Sequence, residues 1–249
     1  MDKSNDDYDL FIENCKKGNL EQLKHLYSLG NININAENGY AFRLSCEKNH
    51  LEVAKWLYSL GGEKININAQ NNYAFIWTCY YGHLEVTKWL YSLEDEKINI
   101  NTINDAAFRW SCGYGHLEVA KWLYSLEGEK ININAENDEA FRLSCWNGHL
   151  EVVKWLYNLE GEKININAEN DEAFILSYKY GHLEVAKWLL YICPDIRQNN
   201  DNLLKISIKC NMECLFPILS ELCPYYKCEY DENGSPNNVR IIDYIDIKG

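Results

Sequence analysis

The chain has 249 residues, with 24 Lys and Arg against 37 Asp and Glu, which gives a formal net charge of −13. An apolar fraction of 47% is enough for a packed core and excludes wholesale disorder. The acidic balance argues against binding nucleic acid through its phosphates, and the longest apolar run, residues 188–193, is too short for a transmembrane helix. The polar N-terminus does not fit a signal peptide, so we expect an intracellular chain with reduced thiols.

A 33-residue period organises most of the sequence. Five histidines mark it, each followed by Leu-Glu-Val: His50, His83, His116, His149 and His182. Residues 105–137 form one complete unit, and the units on either side repeat it with few changes. Such units bury their apolar faces only by stacking on their neighbours, so the period predicts a solenoid of about seven repeats.

The predicted regions follow this period along the chain. Their bounds are a polar N-terminal tail at 1–7, an N-terminal capping repeat at 8–37, five repeats at 38–200, a degenerate C-terminal capping repeat at 201–224 and a C-terminal tail at 225–249. Within the tail, residues 225–230 and 239–247 flank a turn-rich segment and are predicted to pair as a β-hairpin.

Each unit is predicted to contain two short helices and an extended finger. In the unit at 105–137, the first helix runs from about residue 107 to 114 and is capped by Asn104 or Asp105. Gly115 then supplies a left-handed residue that ends it. The second helix, about 116–126, carries a broad apolar stripe, and the alternating segment 130–134 suits a strand-like connector.

The unit resembles the ankyrin repeat in its 33-residue period, its Gly-His-Leu-Glu-Val turn and its helix–turn–helix–finger order. The Thr-Pro-Leu-His signature is replaced, for example by Ala-Ala-Phe-Arg at 106–109. The repeat sequence is similar to that of the tandem ankyrin proteins of giant DNA viruses of amoebae. The similar segment is Leu-Glu-Val-Ala-Lys-Trp-Leu-Tyr-Ser-Leu followed by Ile-Asn-Ile-Asn. The resemblance implies an all-α ankyrin-repeat solenoid that binds another protein on its concave face.

Two sets of positions vary between the otherwise constant units, at the end of the first helix and in the finger that enters it. Carried over from the ankyrin pattern, both lie on the concave side, where aromatic residues are favoured anchors and acidic residues steer a basic partner. The predicted partner-binding residues are Tyr40, Tyr73, Tyr80, Tyr81, Tyr114, Trp146, Tyr180, Asp138, Glu139, Asp171 and Glu172. The alternative interpretation is that exposed positions have simply accumulated substitutions without a role in binding, which would produce the same pattern. Trp77 and Trp110 stand where other units have Leu, which predicts core positions.

The repeated histidines and cysteines are predicted to have structural roles and not to bind metal or catalyse a reaction. Neighbouring helices lie about 8–10 Å apart, so equivalent histidines cannot share one metal ion, and the five repeat histidines are interpreted as structural. Five cysteines occupy one lattice position and are predicted to be buried thiols: Cys15, Cys46, Cys79, Cys112 and Cys145. No catalytic motif, metal site or cofactor site is predicted.

The expected chain is therefore a monomeric, non-catalytic binding module, located in the host cytoplasm if it is viral. Its partner is expected to be a protein with a basic or mixed basic and apolar surface, not nucleic acid or membrane. One alternative is an adaptor that delivers substrates to a ubiquitin ligase. Others are a zinc-binding element among the C-terminal cysteines and nucleotide or nucleic-acid binding by stacked aromatic rings.

Overall fold

In the part of the chain that the structure describes, twelve helices form six successive pairs. The computed structural model describes residues 3–60, 65–93, 98–126, 130–159, 163–193, 226–230, 232 and 236–241. The helices are α1 (Lys3–Lys17), α2 (Leu20–Ser28), α3 (Ala36–Glu47), α4 (Leu51–Ser59), α5 (Ala69–Tyr80), α6 (Leu84–Tyr91), α7 (Thr102–Gly113), α8 (Leu117–Tyr124), α9 (Ala135–Trp146), α10 (Leu150–Tyr157), α11 (Ala168–Lys179) and α12 (Leu183–Ile192). Two strands follow, β1 (Tyr226–Tyr230) and β2 (Pro236–Ile241).

The chain divides into two compact units, residues 1–136 and 137–249, and α9 crosses the boundary. In the first unit, α3 packs on α5 and α5 on α7, while each second helix packs on its own first helix. In the second unit, α11 packs on α12. The predicted architecture of repeated helix pairs is confirmed.

The chain ends differ in detail from the predicted bounds. Helix α1 begins at Lys3, inside the predicted polar tail, with Asp6 in its first turn, where the helix dipole favours an acidic residue. Strands β1 and β2 pair antiparallel, with Tyr226 opposite Ile241. Strand β2 begins three residues before the predicted start, since proline is compatible with the first position of a strand. The degenerate repeat at 201–224 lies outside the described residues.

Phenylalanines of the first helices and leucines of the second form the core of each repeat. In the first unit, Phe42, Phe75 and Phe108 are at most 1% exposed. Opposite them lie leucines of the second helices, which are equally buried: Leu57, Leu90 and Leu123. The same arrangement recurs in the second unit with Phe141, Phe174, Leu156 and Leu189.

Edge-to-face aromatic pairs join neighbouring second helices. Tyr58 meets Trp89 with ring centroids 6.0 Å apart at 90°, and Tyr91 meets Trp122 at 5.5 Å and 87°. This geometry places the positive edge of one ring against the negative face of the other. Trp89 and Trp122 therefore each link their repeat to the preceding one.

A left-handed turn of three residues interrupts the start of the first helix in four repeats. It spans residues 37–39, 70–72, 103–105 and 136–138, with φ between 52° and 70°. Asn, Asp and Gly tolerate this conformation, and they fill the second and third places of every one of these turns. The prediction that Asn104 or Asp105 is the N-cap of this helix is wrong, because the N-cap is Asn101 and both predicted residues are left-handed.

Arginines of the first helices hold these turns. Arg43 donates from Nη2 to the carbonyl oxygen of Glu37 at 2.9 Å and from Nε to that of Asn38 at 3.3 Å. Arg109 makes the equivalent pair of hydrogen bonds two repeats further along the chain, at 2.9 and 2.7 Å. Since the guanidinium is a rigid fork of donors, it fixes two adjacent carbonyl groups at once.

Ile103 is the poorest fit to the turn, since a β-branched residue at φ 56° is an outlier. Its side chain is 52% exposed and therefore gains little from packing. We expect Ile103→Asn to raise the free energy of unfolding by about 1 kcal/mol, because the left-handed strain is relieved. Urea unfolding followed by circular dichroism measures this gain. The control Ile103→Val remains β-branched and should show no gain; an unchanged midpoint for Ile103→Asn would contradict the strain.

The finger is not the predicted strand. Ile131 and Ile133 are buried as the alternation requires, but the backbone of the described residues 130–134 is not in a strand. The Oδ1 of Asn132 instead accepts a hydrogen bond from the N–H of Asn134 at 3.1 Å, which is an Asx turn. The Ile-Asn-Ile-Asn motif therefore supplies two buried anchors and one local turn.

Candidate protein-interaction surface

Aromatic side chains at the ends of the first helices are exposed, as a binding surface requires. Tyr81 is 39% exposed, Tyr114 43%, Trp146 39% and Tyr180 51%. A left-handed residue one or two positions further on sets the end of each of these helices, such as Gly82 at φ 74°, Gly115 at φ 82° or Gly148 at φ 79°. Each helix therefore stops with its aromatic residue at the surface.

In the first unit, six rings form one continuous patch, here called the aromatic cluster. Tyr80 is its centre, with ring centroids 4.8 Å from Trp77, 4.8 Å from Tyr81, 6.1 Å from Trp110 and 4.1 Å from Tyr114. The full cluster is Tyr73, Trp77, Tyr80, Tyr81, Trp110 and Tyr114. Because the rings support one another, the patch is presented in a fixed arrangement.

Two members of the aromatic cluster were not predicted. Trp77 and Trp110 were assigned to the core because Leu fills their position elsewhere, but both are only partly buried and their centroids are 6.1 Å apart. At the same position Leu44 is buried, being 4% exposed. Leu143 and Leu176 are only partly buried there, so the position lies at the edge of the core, and an indole extends from it to the tyrosines. The coincidence of two such tryptophans with Tyr80, Tyr81 and Tyr114 was the signal available in the sequence.

Charged and polar groups border the aromatic cluster on the side of the second repeat. The Glu47 carboxylate pairs with Lys48 at 2.8 Å and accepts a hydrogen bond from the Tyr73 hydroxyl at 3.4 Å. The Lys48 ammonium lies 5.6 Å from the centroid of Tyr81. Within the cluster, a hydrogen bond with Tyr114 is the main cause that raises the pKa of Tyr80 to about 12. Tyr80 is therefore a neutral hydrogen-bonding group at physiological pH.

Tyr40 and Tyr73 occupy the predicted positions in the fingers and hold a cation between them. The Arg43 guanidinium lies 5.6 Å from the Tyr40 centroid and 5.0 Å from that of Tyr73. Both distances are within the range of cation–π attraction. Both rings are partly buried, so they join the surface to the turn that Arg43 fixes.

The second unit carries a smaller aromatic pair. The rings of Trp146 and Tyr180 are 5.8 Å apart and inclined by 30°. The ammonium of Lys179 lies 5.4 Å from the Tyr180 centroid. This pair is a separate exposed feature of its own unit.

The predicted acidic rim does not form as expected. Asp138 is only 5% exposed, and its Oδ2 accepts a hydrogen bond from the N–H of Asn165 in the next repeat at 3.2 Å. Asp171 is partly buried and accepts a hydrogen bond from the Asn167 amide. Asp138 therefore joins repeats, as does Asp105, which binds the N–H of Asn132 in the same way.

The two glutamates of this set are also partly buried. Glu172 forms an ion pair with Arg142, and this pair lies within one unit. Glu139 is partly buried as well. The sequence could not separate a solvated carboxylate from one that binds the next repeat, because both kinds of carboxylate lie at positions that vary between the units.

The repeat histidines link successive repeats. His50 Nε2 donates to the carbonyl oxygen of Lys16 at 2.8 Å, and His83 Nε2 to that of Glu47 at 2.9 Å. His116 bonds in the same way to the backbone of Tyr80. His149 and His182 occupy the equivalent N-cap positions of α10 and α12. In the first unit the imidazole thus connects the start of the second helix of one repeat to the end of the first helix of the previous repeat.

Burial lowers the pKa of His83 and of His116 below the ordinary value of 6.5. As the pH falls through 6.5, the unfolded chain therefore binds protons before the folded chain does, and stability falls. We expect a lower urea midpoint at pH 5.5 than at pH 7.5. The variant His83→Gln/His116→Gln should show a smaller drop between these two pH values. His25→Gln, on the exposed face of α2, should keep the drop of the unchanged protein; an equal drop in all three proteins would contradict the assignment.

The lattice cysteines are buried thiols. Burial raises the pKa of Cys15 to about 12 and raises the pKa of Cys46 still further. No group of three or more His, Cys, Asp or Glu side chains in the described ranges could hold a metal ion. Three of the C-terminal cysteines lie outside those ranges: Cys210, Cys214 and Cys223. Among the helices that are described, none is long and apolar enough to cross a membrane.

The structure repeats three features at a period of 33 residues: a helix pair, a finger with an Asx turn, and a histidine that links successive repeats. These features define a solenoid-type repeat protein, and its first helices end at an exposed surface. The sequence model of the family described as ankyrin repeats (3 copies) matches residues 11–104, 75–170 and 108–201. The chain belongs to the ankyrin-repeat family, whose fold is an interaction fold.

Comparison with solved structures finds an ankyrin repeat family protein from Legionella pneumophila. It is 20% identical, over 74% of this chain and 70% of that chain, with a TM-score of 0.40. No curated protein matches the chain significantly.

Proposed function

We propose that the chain is a non-catalytic, intracellular protein-binding module whose main contact surface is the aromatic cluster. The observation that carries this proposal is the group of six mutually packed rings, of which Tyr81 and Tyr114 are the most exposed. Tyr and Trp supply large contact areas at a low cost in conformational entropy. A rigid patch of this kind suits a protein partner better than a small molecule, which needs a concave pocket.

The partner is proposed to present a basic or mixed basic and apolar surface to a monomeric chain. The net charge of −13 favours encounter with a basic protein. The cations already placed against the rings, Arg43 and Lys48, show that these ring faces accept positive charge. The same net charge opposes binding to nucleic acid phosphates.

The biological setting of this binding rests on the sequence resemblance. The similarity to tandem ankyrin proteins of giant DNA viruses supports a virus-encoded chain that acts on host or viral proteins in the host cytoplasm. An adaptor for a ubiquitin ligase would need a recruiting element outside the repeats, and the C-terminal tail at 225–249 is the segment available for it. Deleting that tail distinguishes the two functions. A ubiquitin-ligase adaptor would keep its substrate but lose the ligase, whereas a simple binding module would capture the same proteins with or without the tail.

The test of the function is affinity capture with a matched control. The binding variant is Tyr81→Ala/Tyr114→Ala/Trp146→Ala. The control variant is Tyr124→Ala/Tyr157→Ala/Tyr191→Ala, which removes three exposed tyrosines from the second helices. The proposal expects the control to retain the proteins captured by the unchanged chain and the binding variant to lose them, with both variants folded by circular dichroism. Capture that survives in the binding variant would overturn the proposal.

A further inference from the structure

Two histidine side chains of the first unit contact members of the aromatic cluster. The imidazole of His83 lies parallel to the ring of Tyr81, with centroids 5.8 Å apart and 18° between the planes. Its Nε2 donates to the carbonyl oxygen of Glu47 at 2.9 Å. His116 is hydrogen-bonded to the backbone of Tyr80, the residue at the centre of the cluster. Imidazole rings therefore position both the backbone of Tyr80 and the side chain of Tyr81.

The position of the His116 ring fits the neutral imidazole and not the protonated one. Its Nδ1 faces the Cα of Gly82, since a Cβ built on that glycine would lie 2.3 Å from this nitrogen. In a neutral ring whose other nitrogen donates to a carbonyl oxygen, Nδ1 carries a lone pair. A Cα–H group is a weak donor that can meet a lone pair, but it cannot accept a hydrogen bond from an N–H. A proton on Nδ1 would therefore point at a group that cannot bind it.

An open groove beside His116 offers the protonated ring another position. The groove has a volume of about 300 Å³, and its lining includes Gly82, His116 and Glu118. The Glu118 carboxylate is exposed and pairs with Lys121 at 3.1 Å. A protonated ring that turned into the groove would approach this carboxylate and would leave the backbone of Tyr80.

The groups around His83 also oppose a second proton on its ring. Neighbouring elements place these titratable or charged groups near it: Glu47, Lys48, His50 and His116. The Glu47 carboxylate pairs with Lys48 at 2.8 Å, and on the helix of His83 itself Glu85 pairs with Lys88 at 3.8 Å. The Lys48 ammonium lies 5.6 Å from the centroid of Tyr81, the ring on which His83 is stacked. Protonation of His83 therefore places a second cation against one ring of the cluster.

We propose that His83 and His116 make binding at the aromatic cluster sensitive to pH, so that the chain binds its partner at neutral pH and releases it in mildly acidic surroundings. The neutral rings keep Tyr80 and Tyr81 in the arrangement that the partner contacts. Protonation turns His116 away from the backbone of Tyr80 and adds a cation beside Tyr81, which disturbs the centre of the cluster. The inference rests on the proposed function and adds a regulation of the same surface.

The direction of the effect follows from the titration of the two histidines. Burial is the main cause that lowers the pKa of both below 6.5, so both rings are neutral at pH 7.5. A partner that binds only the arrangement with neutral rings has its apparent affinity reduced in proportion to the fraction of chains in that arrangement. Affinity is therefore complete near neutral pH and falls as the pH decreases through the lowered pKa values.

The experiment uses short peptides selected at pH 7.5 from a random display library on the full-length chain. Peptides without His, Asp or Glu are chosen, and their affinity is measured by fluorescence anisotropy at pH 7.5 and pH 5.0 with a label that does not titrate in this range. The affinity of the unchanged chain should fall by about threefold or more, with circular dichroism confirming the fold at both pH values. Most of this fall should disappear in His83→Gln/His116→Gln, because a glutamine amide can donate to a carbonyl group but does not titrate.

His50→Gln is the matched control. His50 makes the same kind of hydrogen bond, to the carbonyl oxygen of Lys16 at 2.8 Å, but it belongs to the repeat before the aromatic cluster. This variant should keep the full fall in affinity. An unchanged chain that binds equally well at both pH values, or equal falls in all three proteins, would overturn the proposal. A fall that disappears equally in His50→Gln would also overturn the assignment to His83 and His116.

The failure of this regulation can be told apart from the failure of the function. Peptides that are lost with Tyr81→Ala/Tyr114→Ala but bind the unchanged chain equally well at both pH values would overturn the regulation and leave the proposed function intact. Peptides that bind without regard to Tyr81 and Tyr114 would overturn the proposed function, and the regulation with it.

Discussion

Replacing Gly82 by alanine should lower the free energy of unfolding by roughly 2 to 3 kcal/mol. Gly82 has φ 74°, and a Cβ built on it would lie 2.3 Å from Nδ1 of His116 in the next repeat. About 1 kcal/mol of the loss comes from the left-handed conformation. The remainder comes from displacing an imidazole that is hydrogen-bonded to the backbone of Tyr80.

Gly30→Ala is the matched control for the left-handed conformation alone. Gly30 has φ 82°, and no atom of the described residues lies within 4 Å of a Cβ built on it. Its replacement should lower the free energy of unfolding by only about 1 kcal/mol. In a His116→Ala background, Gly82→Ala should cost no more than Gly30→Ala. Equal losses for both glycines in the unchanged protein would contradict the histidine contact.

Asparagine at the same position provides a graded comparison. The second repeat has Asn49 in place of the glycine, at φ 63°, and the next histidine, His83, still reaches the carbonyl oxygen of Glu47 at 2.9 Å. The His83 ring lies parallel to that of Tyr81, with centroids 5.8 Å apart. Gly82→Asn should therefore cost less than Gly82→Ala, and urea unfolding of the three variants gives the order directly.

The helix pairs could be predicted from the sequence because each follows from a local and repeated signal. Gly115 was predicted to end its first helix in a left-handed conformation, and its φ of 82° confirms this. Asn49 ends the first helix of the second repeat in the same conformation, at φ 63°. The apolar stripe that was predicted on the second helix, at about 116–126, includes Leu123, which the structure buries completely.

The left-handed turns could not be predicted from local preference. Glu37, Gln70 and Ile103 disfavour this conformation, yet all three adopt it. The backbone is held there by contacts that depend on the folded array, such as the guanidinium of Arg43 and the carboxylate of Asp105. Tertiary contacts of this kind outweigh propensity at single residues.

The candidate surface was predicted in part, for a related reason. Variation between repeats located Tyr81 and Tyr114, because exposed positions tolerate change. It also selected Asp138, which varies among Gly, Asn and Asp across the repeats because all three suit a left-handed residue. A position can vary because its side chain is exposed to solvent, or because several residue types suit its left-handed backbone. Variability alone does not distinguish these two causes.

Two large side chains on the same helix should differ sharply in their contribution to stability. Phe108 and Trp110 are two residues apart on α7, but Phe108 is fully buried and Trp110 lies partly exposed in the aromatic cluster. Phe108→Ala should lower the free energy of unfolding by about 4 kcal/mol, since it leaves a cavity between α7 and its neighbours. Trp110→Ala should cost only about 1 to 2 kcal/mol, although it removes more atoms, because solvent can fill the space.

The order of the two variants should be reversed for binding: Trp110→Ala should have the larger effect on affinity and Phe108→Ala the smaller. Trp110→Ala removes a ring of the aromatic cluster and should weaken a peptide selected on that surface, whereas Phe108→Ala touches no surface ring of the cluster. Urea unfolding and anisotropy titration on the same preparations measure both effects. If Trp110→Ala proved as destabilising as Phe108→Ala and left peptide affinity unchanged, Trp110 would be a core residue and would not belong to the binding surface.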